Sequence, residues 1–487
     1  MISDSIFKII KASGSQPARP YGLPKIHKSK ENPPYRPILN MRDSYVSNLS
    51  KWLDTILKPC LPQKYNCKDT FDFVKSINEF NVENCESFIM CSFDVQSLFT
   101  SIPVQRTIDY IISTVDDTAL PITKSCLKEL LSLACSDIVF SFNNMLYRQI
   151  DGMSMGSNLG PTMASFTMQM LESKFASYSN QSPPIFYKRY VDDCFLMFKS
   201  QPDMFNFFDF VNKLDNDIKF TLDVEKDRCI DFLDCTIYRN NDNKISISWK
   251  IKETNTGTYI PSDAYAPWSY KMAAIRSLFY RAKRICSNDE FYEKSCESIT
   301  KIFVDNGYTT QVIQRIKRKV EENLKKPKIE TNDDDREKKT TICWRFPYVQ
   351  GKDKFLREKI HQLNRNLPEN LAINPVFQVN KTSMFFHNKD RIPRDLKSNC
   401  VYKYTCGDCN KVYVGETSRH LITRAKEHIK GYPVPTEITT HCHDTHENNF
   451  SVIAVTKWHR ILETICLKET KNLINEREGS IPLILHL

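Results

Sequence analysis

Two adjacent aspartates, Asp192 and Asp193, lie between two short apolar segments, and this arrangement constrains the fold of the chain more than any other feature. Residues 185–191 and 194–199 have the aromatic and β-branched composition of strands, so the acidic pair is predicted at the tip of a β-hairpin. A third aspartate, Asp94, follows a segment whose alternating pattern predicts a half-buried strand. The sequence therefore predicts that three carboxylates meet at the ends of neighbouring strands.

The three aspartates are suited to binding divalent cations. Carboxylate oxygens are the ligands that Mg²⁺ prefers, and Mn²⁺ takes the same ligands. Two such ions roughly 3.5–4 Å apart would activate a primer hydroxyl and stabilise the charge that develops as pyrophosphate leaves. The alternative is that Asp192 and Asp193 only form a turn, because turns favour aspartate. The apolar flanks and the presence of Asp94 favour the metal site.

Two neighbouring segments are consistent with a nucleotide site. Phe99 lies five positions after Asp94, where a bulky ring can fill the space of a ribose 2′-hydroxyl and so select deoxynucleotides; the alternative is a core aromatic. Residues 149–161 contain three glycines, which let the backbone approach a template–primer closely. Residues 229–234 are predicted to form a turn that holds the primer end. A helix is predicted after the glycines, because apolar residues recur there at helical spacing: Ala164, Met168, Leu171 and Phe175.

Together these motifs resemble the reverse transcriptases of Penelope-like retroelements, a branch with similarities to telomerase reverse transcriptase. The segments that carry the resemblance are Tyr21–Lys28, Tyr35–Ile38, Ser92–Thr100, Met155–Ser157, Tyr190–Asp193 and Phe232–Asp234. The first of these is the most specific to the family. The resemblance implies an α+β fold, namely a right-hand polymerase with fingers, a palm built on an antiparallel sheet, and a helical thumb.

The resemblance also implies roles for individual residues. The three aspartates would be the catalytic carboxylates. Lys25 and Arg36 would contact the template or the incoming triphosphate, and Arg36 is the better clamp because its planar fork bonds two phosphate oxygens at once. Phe99, Gln149 and Gly152 would complete the nucleotide-binding site.

A second constellation lies near the C-terminus, where nine of the ten histidines follow residue 360. Cys406 and Cys409 are separated by two residues, as in a zinc knuckle, and His441 and His446 follow with four residues between them. Two cysteines and two histidines suit tetrahedral Zn²⁺, so we predict a structural zinc site. Three further residues are alternative ligands: His428, Cys442 and His443.

The residues around these cysteines resemble the GIY-YIG endonuclease family. Cys400–Tyr402 corresponds to the first motif and Tyr413–Gly415 to the second, on two predicted strands that flank the cysteine pair. Arg424 and His428 are four residues apart and therefore share one face of a predicted helix. Glu463 lies on a later predicted helix. Endonuclease-bearing Penelope-like elements have the same domain order, so the two resemblances support each other.

The nuclease family's mechanism implies a role for each of these side chains. Tyr402 or Tyr413 would position or deprotonate the attacking water. Arg424 would stabilise the phosphorane-like charge, and Glu463 would hold one Mg²⁺.

The predicted domains are fingers and palm at 1–255, thumb at 256–324, a charged linker and connecting segment at 325–398, and the nuclease at 399–487. Basic residues are concentrated in two of these regions: residues 1–70 hold 12 basic and 5 acidic side chains, and residues 265–330 hold 14 and 8. Basic fingers and thumb around an acidic centre are suited to a nucleic-acid channel. One face of the first thumb helix is expected to follow the primer–template: Arg276, Tyr280, Lys283 and Arg284.

The chain has 17 cysteines without a disulfide spacing, and neither a secretory signal nor a long apolar run is evident. These features predict an intracellular protein without membrane spans, and work on chromosomes requires a nuclear location. The resemblance implies a further N-terminal region ahead of the fingers, so we expect a truncated copy. The sequence leaves the oligomeric state open.

We therefore predict an RNA-directed DNA polymerase of a Penelope-like retrotransposon, with dNTPs, an RNA template and a DNA primer as its partners. Its coupled endonuclease would nick target DNA to provide the primer. One alternative is an RNA-copying RNA polymerase. The other is a decayed or domesticated protein that only binds nucleic acid, which the truncation and Asn158 favour, since the family usually has proline at that position.

Overall fold

The computed structural model describes residues 2–12, 15–26, 29, 31–61, 64–80, 87–143, 145–178, 182–241, 243–326, 340–368, 370–379, 392–431, 435–441, 449–456 and 459–476. Within these ranges the helices are α1 (Asp4–Ile10), α2 (Ser47–Leu57), α3 (Thr70–Glu79), α4 (Leu98–Ser101), α5 (Val104–Thr114), α6 (Lys124–Cys135), α7 (Gly160–Glu172), α8 (Gln201–Lys213), α9 (Trp268–Ile285), α10 (Asp289–Asp305), α11 (Thr310–Lys325), α12 (Asp353–Asn364), α13 (Leu421–Lys430), α14 (Glu437–His441) and α15 (His459–Glu469). The strands are β1 (Arg19–Pro24), β2 (Tyr35–Asn40), β3 (Ile89–Val95), β4 (Ile138–Phe142), β5 (Met145–Gln149), β6 (Phe186–Tyr190), β7 (Asp193–Phe198), β8 (Phe220–Val224), β9 (Cys229–Phe232), β10 (Cys235–Arg239), β11 (Ile245–Trp249), β12 (Thr340–Pro347), β13 (Leu371–Gln378), β14 (Cys400–Thr405), β15 (Val412–Thr417) and β16 (Phe450–Val455).

A four-stranded antiparallel sheet in the order β6-β7-β3-β8 forms the predicted palm. Its middle strands carry apolar side chains on both faces, because both faces are covered. Cys91 and Phe93 of β3 enter a core shared with α2, α5, α6 and α7. Met90 enters a second core, shared with α3 and with the three-stranded sheet β11-β10-β9. The palm sheet therefore separates two hydrophobic cores.

The alternation that builds these cores also places the acidic side chains. Asp94 lies opposite Asp193 in the register of β3 and β7. Asp193 alternates with Phe195 and Met197, which are buried in the second core, but it lies beyond that core at the strand end and is exposed. The predicted hairpin is confirmed, with a turn at Val191 that has a φ of 59°.

Two smaller antiparallel hairpins, β1–β2 and β4–β5, form the predicted fingers. They are joined by a parallel bridge between Ala18 and Phe140. The helix predicted after the glycine-rich segment is α7, and its residues Ala164, Met168 and Leu171 are fully buried, as their spacing predicted.

Helices α9, α10 and α11 form the predicted thumb around a core of their own. Arg281 of α9 is paired with Asp234 in the β9–β10 turn, which joins this helical unit to the palm. The Arg284 guanidinium lies 4.5 Å from the centre of the Phe71 ring, and Lys283 is paired with Asp289 at 3.0 Å. Arg284 also donates a hydrogen bond of 2.9 Å to the Tyr280 hydroxyl, and Arg276 Nε donates one of 3.4 Å to the Met272 carbonyl. All four side chains expected to face nucleic acid thus have partners within the protein.

The region between the predicted thumb and the predicted nuclease contains a parallel strand pair, β12–β13, connected by α12. The two strands were not predicted from the sequence. Most of the predicted charged linker, residues 327–339, lies outside the described residues.

The C-terminal unit is an antiparallel sheet in the order β15-β14-β16, accompanied by α13, α14 and α15. The two strands predicted to flank the cysteine pair are β14 and β15. None of the helices in the described ranges is long and apolar enough to cross a membrane.

Phe195 of β7 is fully buried in the second core, where its ring centre lies 5.3 Å from that of Phe73 and 5.6 Å from that of Phe232. Phe195→Ala should therefore lower the free energy of unfolding by about 3–5 kcal/mol, measured by urea denaturation followed by circular dichroism. Leu133, which is 57% exposed, provides the control, and Leu133→Ala should change stability by less than about 0.5 kcal/mol. Equal effects of the two substitutions would contradict this placement of the core.

Candidate active sites and metal sites

The three predicted carboxylates lie together at one end of the palm sheet. Asp94 and Asp193 face each other across β3 and β7, and Asp192 lies in the adjoining turn. Thr221 of β8 donates a hydrogen bond of 3.2 Å to the backbone carbonyl of Asp94, which fixes the end of β3. The structure thus brings together the residues that the sequence placed about a hundred positions apart.

These carboxylates interact electrostatically. Desolvation by the surrounding protein, followed by the charges of Asp192 and Asp94, raises the pKa of Asp193 to about 6, and the Lys252 charge partly opposes this rise. Such like-charge crowding is what a divalent cation would relieve, because it supplies the missing positive charge. The donor set, which consists of carboxylate oxygens alone, fits Mg²⁺ or Mn²⁺.

Two of the predicted nucleotide-binding residues lie at the fingers hairpin, and a third packs against the first core. Lys25 follows β1, and Arg36 is exposed on β2. Phe99 is partly buried against the first core, and its ring lies near Gly160. Template or nucleotide contacts by these side chains remain predictions.

The other two predicted nucleotide-binding residues have partners within the protein. The Gln149 side chain accepts a hydrogen bond of 2.5 Å from Ser154 and donates one of 2.9 Å to the Asp151 carbonyl. Gly152 has a φ of 68°, and a side chain there would collide with the Thr100 backbone. The glycine therefore permits close packing of two protein segments, and its contact with nucleic acid remains a prediction.

A buried ion pair next to the turn that carries Asp192 was not predicted from the sequence. Glu172 and Arg189 are 6% and 2% exposed, and their closest approach is 2.6 Å. Arg189 also donates a hydrogen bond of 3.0 Å to the carbonyl of Val191, the residue before Asp192. The sequence feature that could have indicated this pair is a glutamate at the end of a largely apolar helix, together with an arginine in a strand rich in aromatic residues.

In the C-terminal unit a chain of hydrogen bonds joins the predicted nuclease residues. The Tyr402 hydroxyl lies 2.7 Å from His428 Nε2 and accepts a hydrogen bond of 3.3 Å from Arg424 Nε. His428 Nδ1 lies 2.8 Å from the hydroxyl of Thr436. Glu427 pairs with Arg424 at 3.0 Å and holds its guanidinium in place. The structure therefore assembles Tyr402, Arg424 and His428 into one network.

Burial dominates the electrostatics of this network. It holds the pKa of Tyr402 well above its ordinary value and raises that of Tyr413. Burial and the neighbouring Arg424 charge lower the pKa of His428 to about 3, so the imidazole is neutral near pH 7. A neutral His428 can accept a hydrogen bond from the Tyr402 hydroxyl at Nε2 while its Nδ1–H donates one to Thr436.

Gly415 shows why the second motif ends in glycine. A side-chain carbon at this position would lie 2.6 Å from the Tyr402 hydroxyl oxygen and 2.7 Å from the Tyr413 ring. Asn475 holds the same strand from its other side, because it bonds both the backbone N–H and the carbonyl of Val414, at 2.9 and 2.7 Å. The close approach of the two tyrosines thus depends on a residue without a side chain.

Beside this network is a pocket of about 450 Å³, which we call the nuclease pocket. Tyr413, Arg424 and Glu463 line it, as the sequence predicted. Glu416 and Glu437 also line it and were not predicted. The pocket thus combines a cation, a phenol and several carboxylates, so that one divalent cation and a phosphate could be held side by side.

The predicted zinc ligands converge in part. Cys406, Cys409 and His441 have ligand atoms within 4.8 Å of one another, and Cys409 Sγ lies 3.1 Å from His441 Nε2. Zinc bonds of about 2.0–2.3 Å place tetrahedral ligands at roughly this separation, so the cluster fits Zn²⁺. His446, Cys442 and His443 lie outside the described residues. His428 belongs to the tyrosine network rather than to this cluster.

One short helix contacts both C-terminal sites. Thr436 precedes α14 and contacts His428, and Glu437 at the start of α14 lines the nuclease pocket. Ile438 is fully buried, and His441 at the end of α14 belongs to the cysteine cluster. The metal cluster and the tyrosine network are therefore joined through a single rigid element.

Two segments of the chain match known protein families. Residues 26–237 match the family described as Reverse transcriptase (RNA-dependent DNA polymerase), and residues 258–318 match the Animal helix-turn-helix domain. No curated protein matches the chain in sequence.

Several solved structures are similar to the chain. Telomerase from Candida albicans, in complex with the TWJ fragment of telomeric RNA, shares 11% identity over 66% of this chain and 61% of that chain, with a TM-score of 0.44. Apo telomerase from Candida tropicalis shares 12% identity over 66% of this chain and 59% of that chain, with a TM-score of 0.40. The BmCPV RNA-dependent RNA polymerase at the elongation state shares 14% identity over 58% and 26%, with a TM-score of 0.37. The chain spans about three fifths of the length of these telomerases.

The family match covers all three aspartates at the end of the palm sheet. Residues 26–237 of this chain are a reverse transcriptase domain.

Proposed function

We propose that the chain is the RNA-directed DNA polymerase of a Penelope-like retrotransposon, coupled to a GIY-YIG endonuclease that nicks target DNA. The observation that carries the polymerase is the register of Asp94 opposite Asp193, with Asp192 beside them, inside the reverse transcriptase domain. The nuclease is supported by the network of Tyr402, His428 and Arg424.

In the palm, the three carboxylates would hold Mg²⁺ or Mn²⁺, which lowers the pKa of a primer hydroxyl and neutralises triphosphate charge when bound. Arg36 is exposed on the fingers hairpin and is free to clamp phosphate oxygens with its planar fork. The partly buried Phe99 ring, held near Gly160, is placed to exclude a 2′-hydroxyl. RNA template, DNA primer and dNTPs are the corresponding partners.

The thumb is proposed to grip the duplex of template and product. Arg315, Arg318 and Lys319 on α11 are exposed. A four-residue turn containing Gly307 joins α10 to α11, as in helix-turn-helix units. A row of exposed cations on one helix suits phosphate contacts that do not depend on sequence.

In the nuclease pocket, the geometry favours Tyr413 over Tyr402 as the residue next to water. The Tyr402 hydroxyl is fully buried and already engaged by His428 and Arg424, whereas Tyr413 lines the pocket. Tyr402 would then hold Arg424 in position to stabilise phosphorane charge. Glu463 would hold the divalent cation that polarises the scissile phosphate when bound.

The two activities would act in sequence. The nuclease would cut target DNA, and the exposed 3′-hydroxyl would prime copying of the element's RNA in the palm. Work on chromosomal DNA would place the protein in the nucleus.

Single substitutions should separate the two activities. Asp192→Asn removes a metal-binding carboxylate and should lower DNA-primer extension on an RNA template by about 10²–10³-fold or more, while nicking of supercoiled plasmid is retained. Glu463→Gln should abolish nicking and retain extension. Asp209→Asn and Glu469→Gln, at exposed positions on α8 and α15, are the matched controls and should retain both activities. Loss of both activities in each site variant would contradict the assignment of two sites.

The neutral His428 predicts a pH dependence. Because folding lowers its pKa from 6.5 to about 3, its contribution to stability is complete above pH 6.5 and falls as the pH drops below that value, by about 1.4 kcal/mol per pH unit. Acidification from pH 7.5 to 5.5 should therefore lower the melting temperature of the wild type more than that of His428→Gln. His361→Gln, on α12, is the control and should melt like the wild type at both pH values. An identical pH response of His428→Gln and the wild type would show that His428 is not held neutral.

The cysteine cluster predicts bound zinc. The purified chain should contain about one zinc ion, measured by inductively coupled plasma mass spectrometry, and Cys409→Ser or His441→Ala should lose it. Cys343→Ser replaces an exposed cysteine outside the cluster and should retain the metal. His446→Ala tests whether His446 is the fourth zinc ligand, in which case this variant should also lose the metal. Unchanged zinc content in Cys409→Ser would contradict the site.

A further inference from the structure

A cavity of about 570 Å³ opens beside the edge strand β6, on the face of the palm sheet that packs against α7. We call it the palm cavity. Its walls are aromatic: the Tyr187 ring centre lies 5.2 Å from that of Tyr65 and 5.5 Å from that of Phe175, both edge to face. Tyr110 and Phe207 also line it. Such walls favour a flat ring over a branched or flexible ligand.

The floor of the palm cavity is polar and incompletely satisfied. Ser165, Gln169 and Glu172 line it from one face of α7. The Glu172 carboxylate is satisfied by Tyr187 and Arg189. The Gln169 amide oxygen is buried and has no hydrogen-bond partner in the described part of the chain. A buried acceptor without a donor is costly, so a rotation of the Gln169 amide that turns this oxygen toward a ligand N–H group in the cavity would be favoured.

The mouth of the cavity adds a positive charge. Lys64 lines it and is exposed, with its ammonium 4.8 Å from the centre of the Tyr65 ring. The volume lies within the range of about 300–1,000 Å³ that is usual for small-molecule sites. We propose that the palm cavity binds a planar heteroaromatic base that carries an amino group, either as a free nucleotide or as an unpaired base of a nucleic-acid strand. The amino group would donate to Gln169, and a phosphate would lie near Lys64.

A ligand in the palm cavity would affect the turn that carries Asp192. Arg189 lines the cavity and also donates a hydrogen bond to the Val191 carbonyl, next to Asp192. A ligand that contacts Arg189 or its partner Glu172 therefore acts on the hairpin that carries the catalytic carboxylates. This consequence rests on the proposed polymerase function, whereas binding itself does not.

Binding can be measured with 2-aminopurine riboside monophosphate, whose fluorescence is quenched when it stacks on aromatic rings. The full chain is titrated without added divalent cation, so that nucleotide binding at the polymerase aspartates is suppressed. A second titration uses a single-stranded oligonucleotide with one 2-aminopurine, and the tighter of the two ligands identifies the source of the base. Saturable quenching is expected for the wild type.

Two variants and one control test the location. Gln169→Leu keeps the side-chain size but removes the acceptor, and should weaken binding about tenfold. Ala176→Trp places a large ring at an exposed position on the cavity rim and should abolish binding. Leu133→Trp, on the exposed face of α6, adds the same ring elsewhere and should bind like the wild type. The circular dichroism spectra and melting curves of all variants establish that they are folded.

Absence of quenching in the wild type would overturn the proposal, and so would unchanged binding in either folded cavity variant. Coupling is tested separately by primer extension at saturating mononucleotide. A change in rate that occurs in the wild type and is lost in Ala176→Trp supports transmission through Arg189. A change that persists in Ala176→Trp reflects competition at the polymerase site and would overturn the coupling. Failure of extension in all proteins, with binding intact, would instead refute the polymerase.

Discussion

Like-charge repulsion at the end of the palm sheet is the constraint on which the polymerase site depends. Asp94 and Asp193 are forced opposite each other by the pairing of β3 with β7, and Asp192 adds a third charge in the turn. Two hydrophobic cores, one on each face of the sheet, hold the strands in this register. The apolar packing thus maintains an arrangement that electrostatics alone would oppose, and the stored repulsion favours cation binding.

The C-terminal site differs from the palm site because its polar groups are paired with one another rather than like-charged. Tyr402 and His428 are fully buried and Arg424 is partly buried, and each is matched to a partner: Tyr402 to His428, and Arg424 to Glu427. Burial keeps the phenol protonated and the imidazole neutral. The palm has carboxylates whose mutual repulsion a bound cation would relieve, whereas the C-terminal unit has a preorganised hydrogen-bond network beside a pocket. The two sites therefore place different demands on metal concentration and pH.

Local patterns predicted some of the helices and strands but not the contacts between them. Alternation predicted β3, strand composition predicted the β6–β7 hairpin, and helical spacing predicted α7, because these patterns reflect which side chains are buried. The β12–β13 pair was missed, since β12 is exposed along nearly all of its length and lacks the apolar run of a buried parallel strand. The Glu172–Arg189 pair and the contact of Thr436 with His428 join separate elements. A periodic pattern within one element does not indicate which residues of other elements it contacts.

The short helix α14 fixes the distance between the tyrosine network and the cysteine cluster. Thr436 at one end must reach His428, and His441 at the other must reach Cys409. An inserted or deleted residue between them would turn one end relative to the other by about 100° and shift it by about 1.5 Å. Either contact would then be lost. The spacing between these two residues is therefore fixed by geometry, so related chains should tolerate exchanges of side chains within α14 far better than changes in its length.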